Sequence, residues 1–388
     1  MISESALDVR RRPDALLSSY LGFTFLAWYL NGLGAVLPPL RDELGDWAGI
    51  YTLLPGAVLF GWGIVTVARP RTVSDGREPG IAVGFVVLTT AILAMGTTNW
   101  PLISVVGAVV AAIAAAHVNR VVPGMLATAL QGGVVEPVMM RANAFSSVAS
   151  IAAPLFVGAS LALGAGWLAG FVIPIAIAAV IVTRAATQSP SIRRSEQPVD
   201  RAPLPPFRRW WRESAVLSLS IVVEFCFSYF AVTYLQEEIG LSKSAAAAGG
   251  AAWGVGMAIG RFWFSARRLP GSIVPSVVTI FAGFMLFWGL DSPATAIVGI
   301  GVAGLGASPL YPSRITILID RFPGAVHEGS KRAALATGSA LLTAPALMVG
   351  LRAVSDVRIA YLAVPVLLAI LLVLATPRGH RSGPARNV

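Results

Sequence analysis

The chain has 388 residues, of which 56% are hydrophobic and only 12% are charged, and its mean hydropathy is +0.74. A soluble protein carries roughly twice that charged fraction, so the composition excludes ordinary soluble domains and indicates an integral membrane protein. The net charge of +10 does not indicate a nucleic-acid partner, because the arginines lie in short clusters between apolar runs, as topology determinants do. The single cysteine, Cys226, excludes a disulfide framework.

Apolar runs long enough to cross a bilayer predict twelve transmembrane segments, numbered here 1 to 12. Arg10, Arg11 and Arg12 precede the first run as in a signal peptide, but that run is too long for a cleaved signal and is interpreted as segment 1. In chain order the segments cover residues 15–38, 48–68, 80–97, 101–122, 142–163, 165–183, 214–236, 245–265, 271–289, 293–316, 333–351 and 357–376.

One separator differs from the short turns between the other segments. Residues 184–212 hold seven arginines and five prolines with little apolar content, which is typical of a polar linker. The sequence therefore predicts an all-α membrane protein in which two six-helix bundles are joined by a linker. The predicted parts are a cytoplasmic tail (1–14), a first bundle (15–183), a cytoplasmic linker (184–213), a second bundle (214–376) and a cytoplasmic tail (377–388).

Segments 5 and 11 contain the same pattern, an Arg-Ala pair followed after ten residues by Ala-Pro. The first copy runs from Arg141 to Pro154 and the second from Arg332 to Pro345, an offset of 191 residues. This match indicates two homologous halves, and internal repeats in an apolar chain are typical of transporters. We expect Pro154 and Pro345 to bend equivalent helices so that the halves can rock.

The distribution of basic residues predicts the orientation of the segments. With the N-terminus in the cytoplasm, 22 lysines and arginines lie on the cytoplasmic side and only four lie outside. A miscounted helix would scramble this asymmetry, so both termini are predicted to be cytoplasmic. The four outer residues are Arg41, Lys243, Arg352 and Arg358, and the three within segments are Arg120, Arg261 and Arg314.

Several local motifs accompany this layout. Segment 1 leads into Asn-Gly-Leu-Gly-Ala-Val-Leu-Pro-Pro-Leu-Arg-Asp-Glu-Leu-Gly (31–45), and segment 8 carries Gly256-x-x-x-Gly260-Arg261. Segment 10 carries Gly304-Leu305-Gly306, followed by Pro309. Over nearly its whole length the chain resembles the major facilitator superfamily of secondary transporters. The resemblance implies that Gly256, Gly260 and Arg261 belong to a cytoplasmic gate, although Arg261 could instead only mark topology.

Two departures from the family pattern leave the subfamily and the direction of transport open. The gating motif after segment 2 is displaced: Arg69-Pro70-Arg71 occupies its place, and Asp75-Gly76-Arg77 comes later. In segment 5, Met140, Ala149 and Ala153 stand where drug/proton antiporters have glycines before the proline.

The resemblance implies that segments 1, 4, 7 and 10 line a central cavity, and Glu224 is the strongest candidate residue there. It lies near the middle of segment 7 and is the only acid at such depth. An ionised carboxylate facing lipid costs several kcal/mol, so we expect Glu224 to face the interior and to couple protons or bind substrate. The alternative is a permanently neutral glutamic acid that only hydrogen-bonds neighbouring helices.

Segments 4 and 10 supply the basic candidates. Arg120 and Arg314 could pair with Glu224 or hold an anionic group, although both could also extend to the cytoplasmic headgroups. His117 lies one turn before Arg120 and could relay protons, or could serve only as an interhelical hydrogen-bond partner. The candidate polar and aromatic residues of the cavity wall, which could alternatively be packing or interfacial residues, are Trp28, Asn31, Asn119, Ser308 and Tyr311.

These residues predict a secondary active transporter of the cell membrane that works by alternating access. Proton-coupled efflux of a small amphipathic or drug-like compound is favoured because the candidate cavity residues are mostly apolar or aromatic. Proton-coupled uptake of a small organic anion is the alternative, motivated by Arg120 and Arg314. A non-transporting sensor is a remote alternative, because the linker and tail are too small for an output domain.

The sequence also predicts which partners the protein lacks. No pair of catalytic groups is found at one membrane face, so we do not expect an enzyme. No phosphate-binding loop is present, and His117, His327 and His380 are scattered rather than spaced as metal ligands, so we expect neither ATP, nor a metal, nor another cofactor. The expected partners are the small-molecule substrate, the proton and the lipid bilayer, without nucleic acid or an obligate protein.

Overall fold

The computed structural model describes residues 13–45, 81–97, 100–129, 135–187, 203–267, 273–322 and 326–376, with isolated positions between 53 and 67. Within these residues the regular secondary structure is entirely helical. Segment 2 (48–68) lies mostly outside the described residues, and its described positions are helical. The predicted tails lie almost wholly outside them, as does about half of the linker.

The helices of the first half follow the predicted segments closely. Segment 4 extends past the predicted residue 122, and segment 6 begins with a 3-10 turn, Trp167–Phe171. The α-helices of segments 1, 3, 4, 5 and 6 are, in order, Pro13–Leu44, Ile81–Thr97, Pro101–Ala129, Val135–Ala162 and Val172–Thr187.

In the second half, two segments consist of two helices each. A 3-10 turn at Phe207–Arg209 leads from the linker into segment 7. Segments 7, 8, 9 and 11 are the helices Trp211–Glu237, Lys243–Arg267, Ile273–Gly289 and Val326–Arg352. Segment 10 comprises Pro293–Ala307 and Leu310–Asp320, and segment 12 comprises Val357–Ala360 and Ala363–Ala375.

The interruption of segment 10 differs from the continuous run that the sequence predicts. Pro309 lacks the N–H that would bond to the Leu305 carbonyl, and its ring crowds that turn. The hydroxyl of Ser308 donates to the Leu305 carbonyl instead, at 2.8 Å. The freed backbone acceptor is therefore satisfied inside the protein, as it must be in a lipid environment.

The two halves repeat the same packing. Segment 1 packs against segments 4, 5 and 6, and segment 7 packs against segments 10, 11 and 12. Segment 3 packs against segments 4 and 6, and segment 9 against segments 10 and 12. Each of these contacts in the first half thus has its counterpart six segments later. The predicted fold, two pseudo-symmetric helical bundles, is confirmed.

The outward faces of the helices are apolar. Six of the described helical segments are long and apolar enough to cross a bilayer. On segment 9, Val274, Val278 and Phe281 are exposed at helical spacing, and on segment 12, Val366 and Ile370 are exposed in the same way. In water such stripes would promote aggregation, whereas in a membrane they face lipid. The protein is therefore a multi-pass membrane protein.

Glycines let segments from opposite halves approach to backbone contact. Gly34 of segment 1 lies against the Ser228 carbonyl of segment 7. A Cβ added to Gly254 of segment 8 would lie 2.6 Å from the Ile151 amide nitrogen of segment 5. Since real Cβ contacts are longer than this, a side chain at either position would force the halves apart. The interface between the halves therefore depends on small residues.

Candidate functional site

A small cavity lies where segments 1 and 5 of the first half meet segments 7 and 8 of the second half. Its described lining is uncharged and combines small, apolar and aromatic residues with three polar side chains. The residues are Asn31, Ser150, Pro154, Phe227, Ser228, Ala231, Val232, Gly250 and Trp253.

Two stacked aromatic rings and a few hydrogen-bonding groups contribute to the cavity lining. Phe227 stacks on Trp253 with ring centroids 5.2 Å apart and an interplanar angle of 10°. The Asn31 amide donates to the Ala27 carbonyl at 2.8 Å, and the Ser150 hydroxyl donates to the Ser146 carbonyl at 3.2 Å. These bonds orient the Asn31 amide and the Ser150 hydroxyl, so their oxygens can act as acceptors for a ligand.

A buried arginine lies nearer the predicted inner end. Arg261 of segment 8 is only 7% exposed. Its Nη1 donates to the Ser147 hydroxyl at 2.8 Å and to the Asn143 carbonyl at 3.2 Å, both on segment 5 of the other half. Glu224 and Tyr311 are close enough to act electrostatically on Arg261. The structure thus brings together residues of segments 5, 7, 8 and 10 that the sequence assigned to separate roles.

The local sequence explains why segments 8 and 10 meet at this point. Gly260 packs against the Ser308 hydroxyl, and Gly256 packs against the Gly301 carbonyl. Without side chains between them, the two backbones approach closely. Arg261 follows Gly260 directly, and Tyr311 lies one turn after Ser308, so both side chains reach the same region.

The other candidates from the sequence are distributed differently. Trp28 is buried within the first half, where its Nε1 donates to the Gly170 carbonyl at 3.1 Å. The His117 ring packs near Gly84 of segment 3. Arg314 is half-buried, and Glu213 acts on its charge. The side chains of Asn119 and Arg120 lie outside the described residues.

The two repeated prolines lie inside continuous helices. Pro154 lines the cavity, in the middle of Val135–Ala162. Pro345 is buried within Val326–Arg352. The bending role assigned to them remains a prediction.

Sequence reasoning missed the polar face of segment 5. Asn143, Ser147, Ser150 and Pro154 recur at intervals of four, three and four residues, which places them on one side of a helix. Ser147 binds Arg261 through its hydroxyl and Asn143 through its backbone carbonyl, and the other two line the cavity. Their periodicity was a readable signal, because a polar stripe in an apolar segment must face protein or water rather than lipid.

The predicted outer end carries an ion-pair cluster that the sequence did not indicate. Glu237, the last residue of segment 7, pairs with Arg41 of the first half and with Arg352 of segment 11. Lys243 of segment 8 pairs with Asp42 of segment 1. These contacts hold the two halves together at that end.

Comparison with known proteins agrees with the fold. Curated protein sequences contain no significant match to the chain. Among solved structures, a bacterial homologue of the human lysosomal transporter Spinster, inward-facing and occupied, aligns with a TM-score of 0.68 at 17% identity, covering 94% of this chain and 96% of that one. The E. coli fucose:proton symporter FucP aligns with a TM-score of 0.62 at 15% identity, covering 92% and 97%.

The nucleoside transporter NupG aligns similarly, with a TM-score of 0.63 at 13% identity, covering 93% of this chain and 99% of that one. At these identities the likeness establishes the fold alone. The model of the Major Facilitator Superfamily matches residues 15–327, most of the chain. The protein therefore belongs to the major facilitator superfamily, a family of membrane transporters rather than enzymes.

Proposed function

We propose that the protein exports a small amphipathic compound across the cell membrane in exchange for protons. The observation that carries this proposal is Glu224, a membrane-embedded acid that interacts electrostatically with Arg261 beside the interface between the halves. Ionisable residues at this depth are costly, and in membrane proteins they mark proton or substrate sites. The lack of charge in the described lining of the nearby cavity supports a substrate that is not held by an ion pair.

Alternating access is supported by the symmetry of the packing and by the contacts at the predicted outer end. Two pseudo-symmetric bundles can rock about a central site without being rebuilt internally. In the state described here, Arg41 and Asp42 of the first half pair with Glu237 and Lys243 of the second half. Opening towards the outside would break these pairs, so the structure corresponds in our proposal to a state closed on that side.

The cavity lining supports the proposed substrate class. The stacked rings of Phe227 and Trp253 suit a planar or apolar moiety, and Asn31, Ser150 and Ser228 suit one or two hydrogen-bonding groups. Few directional contacts on an apolar wall favour loose recognition of amphipathic compounds. The distribution of basic residues supports a cell-membrane orientation with both termini in the cytoplasm.

Proton coupling can be tested in inside-out membrane vesicles whose lumen is acidified by ATP hydrolysis and monitored with a fluorescent pH-gradient probe. A panel of neutral, cationic and anionic aromatic compounds is added to the outside. For an exporter that exchanges protons, uptake of a substrate into the vesicle releases protons and restores the fluorescence. We expect neutral or cationic amphipathic compounds to give this signal.

Glu224→Gln should abolish the compound-dependent signal, because the side chain can no longer release a proton. Glu213→Gln is the matched control, since Glu213 lies on the same helix but pairs with Arg321 near the surface. A full signal in Glu224→Gln would contradict coupling through this residue. A signal from wild-type protein with anions alone would contradict the proposed substrate class.

A further inference from the structure

A turn at the predicted inner end joins the linker to segment 7 and presents basic and aromatic side chains at the surface. It comprises residues 206–212 and is named here the linker turn. Phe207 and Trp211 are 64% and 37% exposed, and Arg208 and Arg209, which lie between them in the chain, are exposed as well. Large apolar rings beside charged groups are unfavourable in water but suit the boundary between lipid headgroups and acyl chains.

Contacts with the second half hold the linker turn in place. The Trp210 ring packs against the Phe322 ring, with centroids 5.9 Å apart, and the Arg332 guanidinium lies 5.4 Å from the Trp210 centroid. The Phe207 ring meets Trp210 edge-on at 5.0 Å, and Arg212 donates to backbone carbonyls at the end of segment 12. The side chains that stay exposed are therefore presented from an anchored backbone.

The charges of Arg208 and Arg209 are not offset within the part of the chain that the structure describes. Among those residues, neither guanidinium has a hydrogen bond or an ion pair, and Glu213, four residues after Arg209, is already paired with Arg321. The preceding part of the linker, residues 188–202, contains three arginines and two acids, so its composition supplies no excess of negative charge. Two cations at the surface of the linker turn thus remain available for an anion.

We propose that the linker turn binds an anionic phospholipid of the cytoplasmic leaflet. Arg208 and Arg209 bind the headgroup phosphate, because guanidinium groups form charge-assisted hydrogen bonds with phosphate oxygens. The apolar span of segment 7 begins at Trp211, so both arginines lie at the depth of the headgroups. Basic residues next to a transmembrane helix favour anionic lipids at this depth. The proposal does not depend on the transported substrate or on Glu224.

The aromatic side chains favour a lipid over a soluble anion. A soluble phosphate would bind the two arginines and leave the rings of Phe207 and Trp211 in water. A phospholipid covers these rings with its glycerol and upper acyl region while its phosphate reaches the guanidinium groups. Aromatic rings at this level are typical of protein surfaces that contact the membrane interface. One ligand therefore accounts for both the charged and the apolar part of the linker turn.

Native mass spectrometry of the full chain in detergent measures the affinity of the first bound lipid. The probes are dioleoylphosphatidylglycerol, which is anionic, and dioleoylphosphatidylcholine, which has the same acyl chains but no net charge. We expect tighter binding of phosphatidylglycerol. Arg208→Gln and Arg209→Gln should each weaken it about fivefold, and the double variant about 25-fold, while the affinity for phosphatidylcholine stays unchanged. Lysine at both positions keeps the charge and should retain most of the preference.

A control variant and a second measurement locate the site. Arg358→Gln removes the same charge at the predicted outer end, where Arg358 pairs with Asp291, and should leave the affinity for phosphatidylglycerol unchanged. In vesicles of one mixed composition, either the phosphatidylglycerol or the phosphatidylcholine carries brominated chains, which quench tryptophan fluorescence. The part of the emission that Trp211→Phe removes should be quenched more by brominated phosphatidylglycerol. The double arginine variant should lose this preference.

Three results would overturn the proposal. Equal affinity for phosphatidylglycerol in the wild type and the double arginine variant would show that Arg208 and Arg209 bind no headgroup, and an equal loss in Arg358→Gln would show that only net charge matters. Displacement of the bound lipid by glycerol 1-phosphate would indicate a site for a soluble phosphate instead. Equal quenching of Trp211 by the two brominated lipids would place the anionic lipid elsewhere on the protein.

Discussion

Arg352 donates to both carboxylate oxygens of Glu237, at 2.9 and 3.1 Å, and so connects segment 11 to the end of segment 7. Arg41 of the other half pairs with the same carboxylate. One acid therefore holds two cations, one from its own half and one from the opposite half. Because Glu237 is about one-third exposed, each pair contributes little alone, and the shared carboxylate makes the contact a network.

All four cations that the sequence places on the outer side have an acidic partner. Besides Arg41 and Arg352 on Glu237, these pairs are Lys243 with Asp42 and Arg358 with Asp291. The positive-inside bias tolerates few outer cations, and each of these serves a contact between helix ends. Two of the four pairs cross between the halves and two do not, which provides matched positions for experiments.

Glu237→Gln should loosen the outer closure, because it weakens the link to Arg41 across the interface. In the Cys226→Ala background, a cysteine in place of Ala231 reports access to the cavity from outside through its reaction with a membrane-impermeant maleimide. We expect the labelling rate to rise roughly two- to fivefold, corresponding to about 0.5–1 kcal/mol. Asp291→Asn breaks a pair within the second half and should leave the rate unchanged. Equal rates in the two variants would contradict a closing role for Glu237.

Gly254→Ala should destabilise the protein, since the added methyl group would lie 2.6 Å from the Ile151 amide nitrogen. Relief of this overlap requires segments 5 and 8 to separate, at a cost of about 1–3 kcal/mol. Gly350→Ala is the control, because a Cβ there meets nothing within 4 Å and alanine favours a helix by about 0.5–1 kcal/mol. Thermal unfolding in detergent should therefore show a lower midpoint for the first variant and an equal or higher one for the second.

Much of the fold could be predicted from the sequence, because lipid imposes simple rules. Apolar length fixes the segments, basic residues indicate their sides, and the repeated Arg-Ala and Ala-Pro pairs indicate the equivalence of segments 5 and 11. The prediction that Glu224 faces the protein interior rests on the same physics, since lipid excludes charge. The position of the helix break at Ser308 and Pro309 could also be anticipated from proline chemistry. The sequence alone does not show that Tyr311, which follows this break, lies near Arg261.

The neighbours of Arg261 could not be predicted in this way. The hydropathy pattern indicates that a buried arginine needs hydrogen-bond partners, but it does not indicate which helix supplies them. Ser147 and Asn143 lie more than a hundred positions away along the chain, and their contact depends on how the halves pack. The same is true of Glu237, whose partners come from both ends of the sequence. The periodicity of the sequence indicates which face of a helix is polar. Which faces contact each other depends on how the helices pack.

Combined substitution of Arg120 and Arg314 by glutamine separates the export proposal from anion uptake. The described cavity lining contains neither arginine, so export of a neutral or cationic compound should retain at least about half of its rate. Uptake of an organic anion held by these residues would instead fall by a hundredfold or more, since a charge-assisted pair is worth about 3 kcal/mol. Transport of radiolabelled panel compounds into right-side-out and inside-out vesicles measures both. A large loss of neutral-compound export in the double variant would contradict the proposal that this cavity binds the substrate.

Arg332 should prove more important for stability than a residue that only marks topology. Arg332, which begins the second copy of the repeat, is 8% exposed and donates to Glu328 at 2.6 Å. Its guanidinium also lies over the rings of Trp210 and Phe322, at 5.4 and 5.1 Å from their centroids. Replacement by alanine removes the bond to the buried Glu328, which keeps its pair with Lys331, and removes both ring contacts.

We therefore expect Arg332→Ala to lower the free energy of unfolding by about 3 kcal/mol. Arg332→Lys keeps the charge but loses the planar group that stacks on the rings, so its loss should be smaller. Arg321→Ala is the control, because Arg321 is about half exposed and its pair with Glu213 is worth less than about 1 kcal/mol. The midpoints of thermal unfolding rank the stabilities of the three variants. If Arg332→Ala and Arg321→Ala unfold at the same temperature, the buried pair and its aromatic neighbours do not stabilise this end of the second half.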